Sequence, residues 1–318
     1  MSTTAVSQAN PAEKKGEPDG SFKRPASSFR SFVEKGGQFP PENNRYHLYV
    51  AYGCPFASRT LIVRKLKGLE DIISVTVCSP RFGPNGWPFA SVEPFPGAEV
   101  DPLYDSKYVR DLYLRADPNY AGKFTVPLLW DKKEHTIVNN ESSEIIRILN
   151  TAFNAFLPEE KAALDYYPPE LRAEIDTVNE FIYDGINDGV YKAGFAKTSE
   201  AFNPAVIHLF ETLDRVEALL AGKTYLVGER LTEADVRLFV TIIRFDTAYV
   251  GHFKCNLRTI RGGYPNIHLW LRRLYWRNDA FQSTTDFDHI KTFYFWGQPA
   301  INPTRIVPIG PVPHIEAL

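Results

Sequence analysis

Apolar positions along this chain follow two different periods. In the first half they come in short runs. Tyr46–Tyr52 (YHLYVAY) is an aromatic and aliphatic run of strand length, followed by Gly53-Cys54-Pro55. From Ala57 to Lys67, the apolar Leu61, Ile62, Val63 and Leu66 interleave with Arg59, Arg64, Lys65 and Lys67 at helical spacing, closed by Gly68. Ile72–Val77 (IISVTV) is a β-branched run that predicts a buried strand. Ser79–Pro102 carries six prolines and predicts a long loop, before a short helix around Lys107–Arg115. Thr125–Trp130 predicts a strand with a proline near its start. Thr136–Val138 is its partner, and Asp131–Glu134 is the hairpin turn between them. Asn140 stands as the cap of a helix through Glu141–Leu149.

The order is βαβ followed by ββα, the order of a thioredoxin-like α/β domain over residues 45–152. After Pro168-Pro169 the period lengthens, and residues 165–297 predict an all-helical domain. Its expected helices are Glu170–Ile186, Pro204–Leu220, Thr232–Tyr249 and Asn266–Trp276. The third has a full start signal, with Thr232 and Asp235 as a capping box and Leu231 and Val236 as a hydrophobic staple. Residues 1–44 are rich in Ser, Pro, Gly, Lys and Glu. They read as a flexible arm that drapes over the body through Phe22, Phe29 and Phe32, not as a secretory or transit peptide. Residues 298–318 repeat proline and read as an extended tail. Neither end suggests catalysis.

Composition narrows the function. With 36 basic against 38 acidic residues, the net charge of -2 argues against bulk nucleic-acid binding or docking on an anionic membrane. No stretch approaches the ~18 apolar residues of a membrane span. The run Leu269–Arg277 (LWLRRLYWR) separates at helical spacing into an apolar stripe and an arginine face, a packing helix rather than a nucleic-acid surface. Three widely spaced cysteines cannot build a disulfide framework and point to a reducing compartment, the cytoplasm. His252-Phe253-Lys254-Cys255 has a His-x-x-Cys spacing but no second Cys/His pair, so no metal site is expected. No histidine carries the motif that a cysteine hydrolase needs.

Cys54 is the residue that can react. It follows a strand and precedes a helix, with Pro55 suited to the first turn. Free N–H groups and the helix dipole there are expected to lower the thiol pKa. Cys54-Pro55-Phe56-Ala57 has alanine where a dithiol oxidoreductase has its second cysteine. A mixed disulfide on Cys54 must then be released by an external thiol, which points to a monothiol mechanism using glutathione. Cys78, at a strand end, and Cys255 read as inert.

The sequence resembles the glutathionyl-hydroquinone reductases, the Xi class of glutathione transferases, over nearly its whole length after the arm. The resemblance rests on the run Arg59–Leu69, on Gly86-Trp87-Pro88-Phe89, on Thr125-Val126-Pro127 and on Ile137–Arg147. In the helical half it rests on Gly189–Ala196 and Tyr249–Asn256. It implies a thiol-dependent enzyme that removes glutathione from glutathionyl-hydroquinones through a Cys54–glutathione mixed disulfide, with glutathione as cosubstrate and no permanently bound cofactor. It further implies glutathione binding by Trp87, Lys123, Phe124, Thr125, Val126, Glu141 and Ser142, with Pro127 as the cis-proline. Tyr191 would be the proton donor, with Tyr249 and Tyr294 supporting the thiolate and the quinol site. A homodimer paired through the helical domain is implied as well.

Three positions depart from that pattern. Phe56 replaces the usual Trp, while Ser58 and Phe293 stand where many relatives have His. Cys-Pro-Phe-Ala resembles the Omega-class motif instead. The exchanges predict a roomier, less polar pocket and a range extended to Omega-type substrates such as phenacyl-glutathione adducts. Two other readings share the fold. A conjugating transferase needs Ser or Tyr where Cys54 stands, and a non-catalytic aromatic-ligand-binding module needs no thiol at all.

Overall fold

A computed structural model describes residues 17–318 of the protein; the first part of the N-terminal arm lies outside the described residues. Four strands form one mixed sheet: β1 (Tyr46–Val50), β2 (Ser74–Val77), β3 (Leu128–Asp131) and β4 (Thr136–Asn139). Their spatial order is β2-β1-β3-β4, with β1 parallel to β2 and the other two pairings antiparallel. Every residue of β1 is buried, as its continuous apolar run requires of a central strand. Helices α1 (Pro55–Lys67) and α3 (Ser142–Thr151) pack on each other, and α2 (Val109–Ala116) lies against β4. The strands are shorter at their edges than the apolar runs suggested, since Ile72, Ile73 and Val126 are buried in the loops.

The outer edge of β4 is not left open. Ser31 N–H donates to the Val138 carbonyl, Asn140 N–H to that of Phe29, and Arg30 bridges to Asn139. The arm therefore occupies an edge that would otherwise offer free backbone groups. Phe22 packs on Phe195 and Phe29 on Tyr113 and Tyr120, but Phe32 stays 44% exposed and anchors nothing. Asn140 is not the cap of α3. Its side chain accepts from Phe29 N–H and donates to the Tyr113 hydroxyl, and Glu141 caps the helix through Ser143 N–H instead.

In the helical half, the expected helices at 170–186 and 232–249 are each interrupted. Helix Arg172–Ile182 gives way to a wide π-type turn, Tyr183–Asn187, and helix Glu233–Arg244 to another, Phe245–Tyr249. A third follows Phe287–Lys291, at Thr292–Trp296. The Thr232/Asp235 capping box forms as the sequence demands. The helix expected at Pro204 starts earlier, at Ser199, because Thr198 Oγ1 caps it from Ala201 N–H. Helix Pro265–Arg277 buries Trp270, Leu271 and Leu274, and the tail docks on its other side. There Trp276 Nε1 donates to the Glu316 carbonyl and Arg272 to that of Ala317. Among the described residues, no helix is long and apolar enough to cross a membrane.

Two buried histidines make stability pH-dependent. His47 lies between Ser74 Oγ and Thr76 Oγ1, and His252 donates to Gln298 Oε1. Burial lowers both from 6.5 to about 4. The unfolded chain therefore takes up protons that the folded one refuses, and stability present above pH 6.5 is lost as pH falls toward 4. Urea unfolding is expected to show a loss on the order of 1.4 kcal/mol per pH unit per histidine in that window. His47→Gln flattens the dependence, and an unchanged slope in that variant would contradict the assignment.

Candidate active site

Cys54 is the N-cap of α1, in extended conformation, with Pro55 as the first helical residue. It is placed there by a close approach: a Cβ on the preceding Gly53 would come within 2.4 Å of Phe293 Cβ, so only glycine lets the loop seat against the helical half. The thiol is 8% exposed and donates to the Val126 carbonyl at 3.5 Å. The Val126–Pro127 peptide bond is cis. The pKa of the thiol is raised, not lowered as the helix terminus alone led one to expect. Burial dominates, and it outweighs the Ala57 and Phe56 N–H groups and the charges of Arg244 and Arg24, which all favour the thiolate. The other two cysteines are fully buried, with their thiols pushed further up by burial. None of the three is paired.

Cys54 opens on a cavity of about 500 Å³. Trp87, Lys123, Phe124, Thr125, Val126, Glu141, Ser142 and Tyr191 all line it. Loops from opposite ends of the first domain meet here, tied by one phenol. The Tyr113 hydroxyl donates to the Thr125 carbonyl at 3.0 Å and receives Thr125 N–H and Asn140 Nδ2. Glu141 holds its carboxylate by accepting from Ser143 N–H and Oγ and from Ser27 Oγ. Burial would raise its pKa, but those hydrogen bonds and the charge of Arg59 bring it below the usual range, so it stays ionised. Beneath it, Arg59 donates to Ser142 Oγ at 3.3 Å, leaving that hydroxyl proton free to point elsewhere.

Tyr249 and Tyr294 do not line the cavity. Both are fully buried behind Tyr191. The Tyr294 hydroxyl is 2.8 Å from that of Tyr191 and 2.8 Å from that of Tyr249, so it is the hub of a three-phenol chain. Burial, and next the Cys54 thiolate, push Tyr191 up to about 12, while the two inner phenols are pushed well above their ordinary value by burial. All three hold their protons at neutral pH. The π-type turns seat this group: Tyr249 ends one, and Phe293 and Tyr294 sit in another.

The departures fall in different places. Phe56 and Phe293 are in the cavity wall, Phe293 stacked on Trp87 with ring centroids 4.6 Å apart. Ser58 is not in the wall, so its loss of an imidazole does not widen the pocket. It is buried, donates to the Cys54 carbonyl and accepts from Arg244. Two site residues escaped the sequence reading. Arg244, inside an ordinary helical stripe, donates to the Tyr52, Gly53 and Val240 carbonyls as well. Arg24, with Pro25 to Ser28, makes the arm part of the cavity wall, contrary to the expectation that the ends are uninvolved. No local pattern marks either residue. Among the described residues, no group of three or more His, Cys, Asp or Glu side chains is placed to hold a metal ion.

A single unpaired thiol at a helix N-terminus, facing a cavity lined by an ionised carboxylate, a hydroxyl and a helix start beside a thioredoxin-like sheet, is the arrangement of a thiol-based transferase. Residues 53–152 match the glutathione S-transferase N-terminal domain family, and residues 188–273 match the C-terminal domain family. The chain is 54% identical over 302 residues to glutathione S-transferase omega-like 2 of Schizosaccharomyces pombe, covering 94% of this chain and 96% of that protein. It is 50% identical over 300 residues to the glutathionyl-hydroquinone reductase YqjG of Escherichia coli, covering 92% and 89%. The crystal structure of glutathione-S-transferase Xi from Phanerochaete chrysosporium superposes with a TM-score of 0.96 at 64% identity, covering 97% of this chain and 98% of that one. The glutathione-bound structure of YqjG gives 0.86 at 49% identity, covering 91% and 95%. The chain belongs to the glutathione S-transferase family, in its Xi class of glutathionyl-hydroquinone reductases.

Proposed function

We infer that this protein is a glutathionyl-hydroquinone reductase. The observation that carries the reading is a lone thiol, Cys54, opening with the phenol of Tyr191 on one cavity, while Cys78 and Cys255 are sealed in the core. The Cys54 thiolate attacks the glutathionyl sulfur. The carbon–sulfur bond breaks, its electron pair passes to the ring, and that carbon takes a proton. The products are the free hydroquinone and a Cys54–glutathione disulfide. A second glutathione thiolate attacks the glutathione sulfur of that disulfide, giving oxidised glutathione and restoring the Cys54 thiolate.

Glutathione lies with its γ-glutamyl end at Glu141 and Ser142. The ionised Glu141 takes the ammonium, while the start of α3 and the Ser142 hydroxyl take the carboxylate. The Val126 backbone holds the cysteinyl unit, and Phe124 and Thr125 continue that wall. Trp87 packs over the peptide, and Lys123 serves the glycyl carboxylate. Tyr191, protonated at neutral pH, supplies the proton and takes one back from the thiol of the incoming second glutathione. Tyr294, bonded to Tyr249, holds the Tyr191 hydroxyl in place. Tyr191→Phe is expected to lower kcat by about 10²-fold, while alkylation of Cys54 by iodoacetamide stays near the wild-type rate. A matching fall in alkylation would place Tyr191 with the thiolate instead.

The deciding experiment incubates the protein with glutathionyl-hydroquinone alone. One glutathionyl group should appear on Cys54 by intact mass, with one equivalent of hydroquinone, and glutathione should then clear it. Conjugation of a chloronitrobenzene without any such adduct would favour the conjugating reading. The apolar Phe56 and Phe293 in the wall support a range that extends to phenacyl-glutathione adducts. Assembly as a homodimer through the helical domain, where Ile207 and Leu257 are exposed, completes the proposal. A reducing compartment, the cytoplasm, suits three unpaired cysteines and a reaction that consumes reduced glutathione.

A further inference from the structure

Arg24 reaches the site from the N-terminal arm, and the reaction above gives its charge no task. Its guanidinium carbon lies 4.7 Å from the Phe56 ring centroid and 4.6 Å from that of Tyr191. One permanent cation therefore caps two aromatic rings of the cavity wall. Nε donates to Asp188 Oδ1 at 2.6 Å, and Asp188 is itself buried, which fixes the guanidinium plane. Phe22, two residues earlier, packs on Phe195 with centroids 5.3 Å apart and holds the arm down. Nη2 is buried and has no hydrogen-bond partner among the described residues. A buried donor without an acceptor is costly, and an oxygen atom of a bound ligand can supply what is missing.

We propose that Arg24 is a substrate-binding residue of this same site: its guanidinium receives an ionised hydroxyl of the aromatic ring and makes the enzyme favour conjugates whose ring hydroxyls are acidic. The inference rests on the reductase reading. A fixed cation beside Tyr191, clamped by Asp188, meets the charge of an ionised ring oxygen without reorganising. A guanidinium suits the task better than an ammonium, because it stacks on two rings and still offers an edge N–H to the oxygen. The same charge favours the thiolate form of Cys54. Neutral rings gain only the stacking contact; rings with an ionised oxygen gain a charge-assisted hydrogen bond in addition.

The test compares kcat/KM for wild type, Arg24→Gln and Arg24→Lys on two substrates at neutral pH. One is glutathionyl-hydroquinone, whose hydroxyls stay protonated. The other is its fully chlorinated analogue, whose hydroxyls are far more acidic. Arg24→Gln is expected to lose about tenfold or more on the chlorinated ring and less than about threefold on the parent. Arg24→Lys should recover part of the difference. Release of glutathione from glutathionylated Cys54 holds no ring, so any loss of thiolate stabilisation in the variants acts equally on both substrates and divides out of the ratio between them. Equal losses on both rings, or no loss on either, overturn the proposal, since a merely structural arm contact does not distinguish ring acidity. Absence of turnover in the wild type removes the reductase reading and this inference together; an active wild type with no ring-dependent loss removes this inference alone.

Discussion

Replacing Cys54 with serine is expected to lower glutathionyl-hydroquinone reduction by at least about 10³-fold and to move the urea midpoint very little. The chemistry requires a sulfur that forms and releases a disulfide, and an alcohol does neither. The nearest alternatives are closed: Cys78 and Cys255 are fully buried with raised pKa values, so neither substitutes for Cys54 or attacks its disulfide. Serine is nearly isosteric and can keep the contact that Cys54 makes with the Val126 carbonyl. The measurement is steady-state turnover beside an unfolding curve on the same preparation. Activity that survives in Cys54→Ser would place the nucleophile elsewhere. Because burial raises the Cys54 pKa in the free protein, activity should rise with pH through the alkaline range.

Arg244→Met should cost about 3 kcal/mol or more of stability. Arg244 is 1% exposed. Its guanidinium donates to the Tyr52 carbonyl at 2.7 Å, the Gly53 carbonyl at 3.3 Å and Ser58 Oγ at 2.7 Å. It thus ties the loop before the reactive cysteine, and the first turn of α1, to the helical half. Methionine fills the space but leaves two buried carbonyls and a hydroxyl without that donor. The loss is read as a lower urea midpoint with an unchanged slope, together with slower alkylation of Cys54. Arg244→Lys should fall between the two proteins, since an ammonium reaches only part of the set. A neutral result would mean that the loop carbonyls find other donors.

The sheet and α1 were legible because their signals are local. β1 is a continuous apolar run, and α1 opens on a cysteine followed by proline and closes on Gly68 in the left-handed region. Thr232 and Asp235 announce their helix through a capping box four residues long. The interrupted helices were not legible. Tyr183–Asn187 and Phe245–Tyr249 keep helical periodicity in sequence, and their widening to π-type turns is set by what they pack against, including the phenols they carry. Asn140 shows the same limit: its side chain is a good cap by type, but the arm and Tyr113 claim it. The thiol pKa went the other way from the helix-dipole argument for a related reason. The dipole belongs to α1 alone, whereas burial is the sum of everything folded around Cys54.

By itself, the sequence determined the sheet order's raw material, the helical half, and the one cysteine without a second thiol beside it, because each depends on residues within a turn or two of one another. It also determined the polar groups Glu141 and Ser142 at a helix start, for the same reason. Only the tertiary structure decided that the arm walls the cavity, that Arg24 caps Phe56 and Tyr191, that Ser58 serves Arg244 rather than the pocket, and that Tyr294 links Tyr191 to Tyr249. The Ser58–Arg244 contact joins residues 186 positions apart, Tyr191–Tyr294 103 and Tyr249–Tyr294 45. No local period encodes such distances; burial and the pairing of buried polar groups select them once the two halves close.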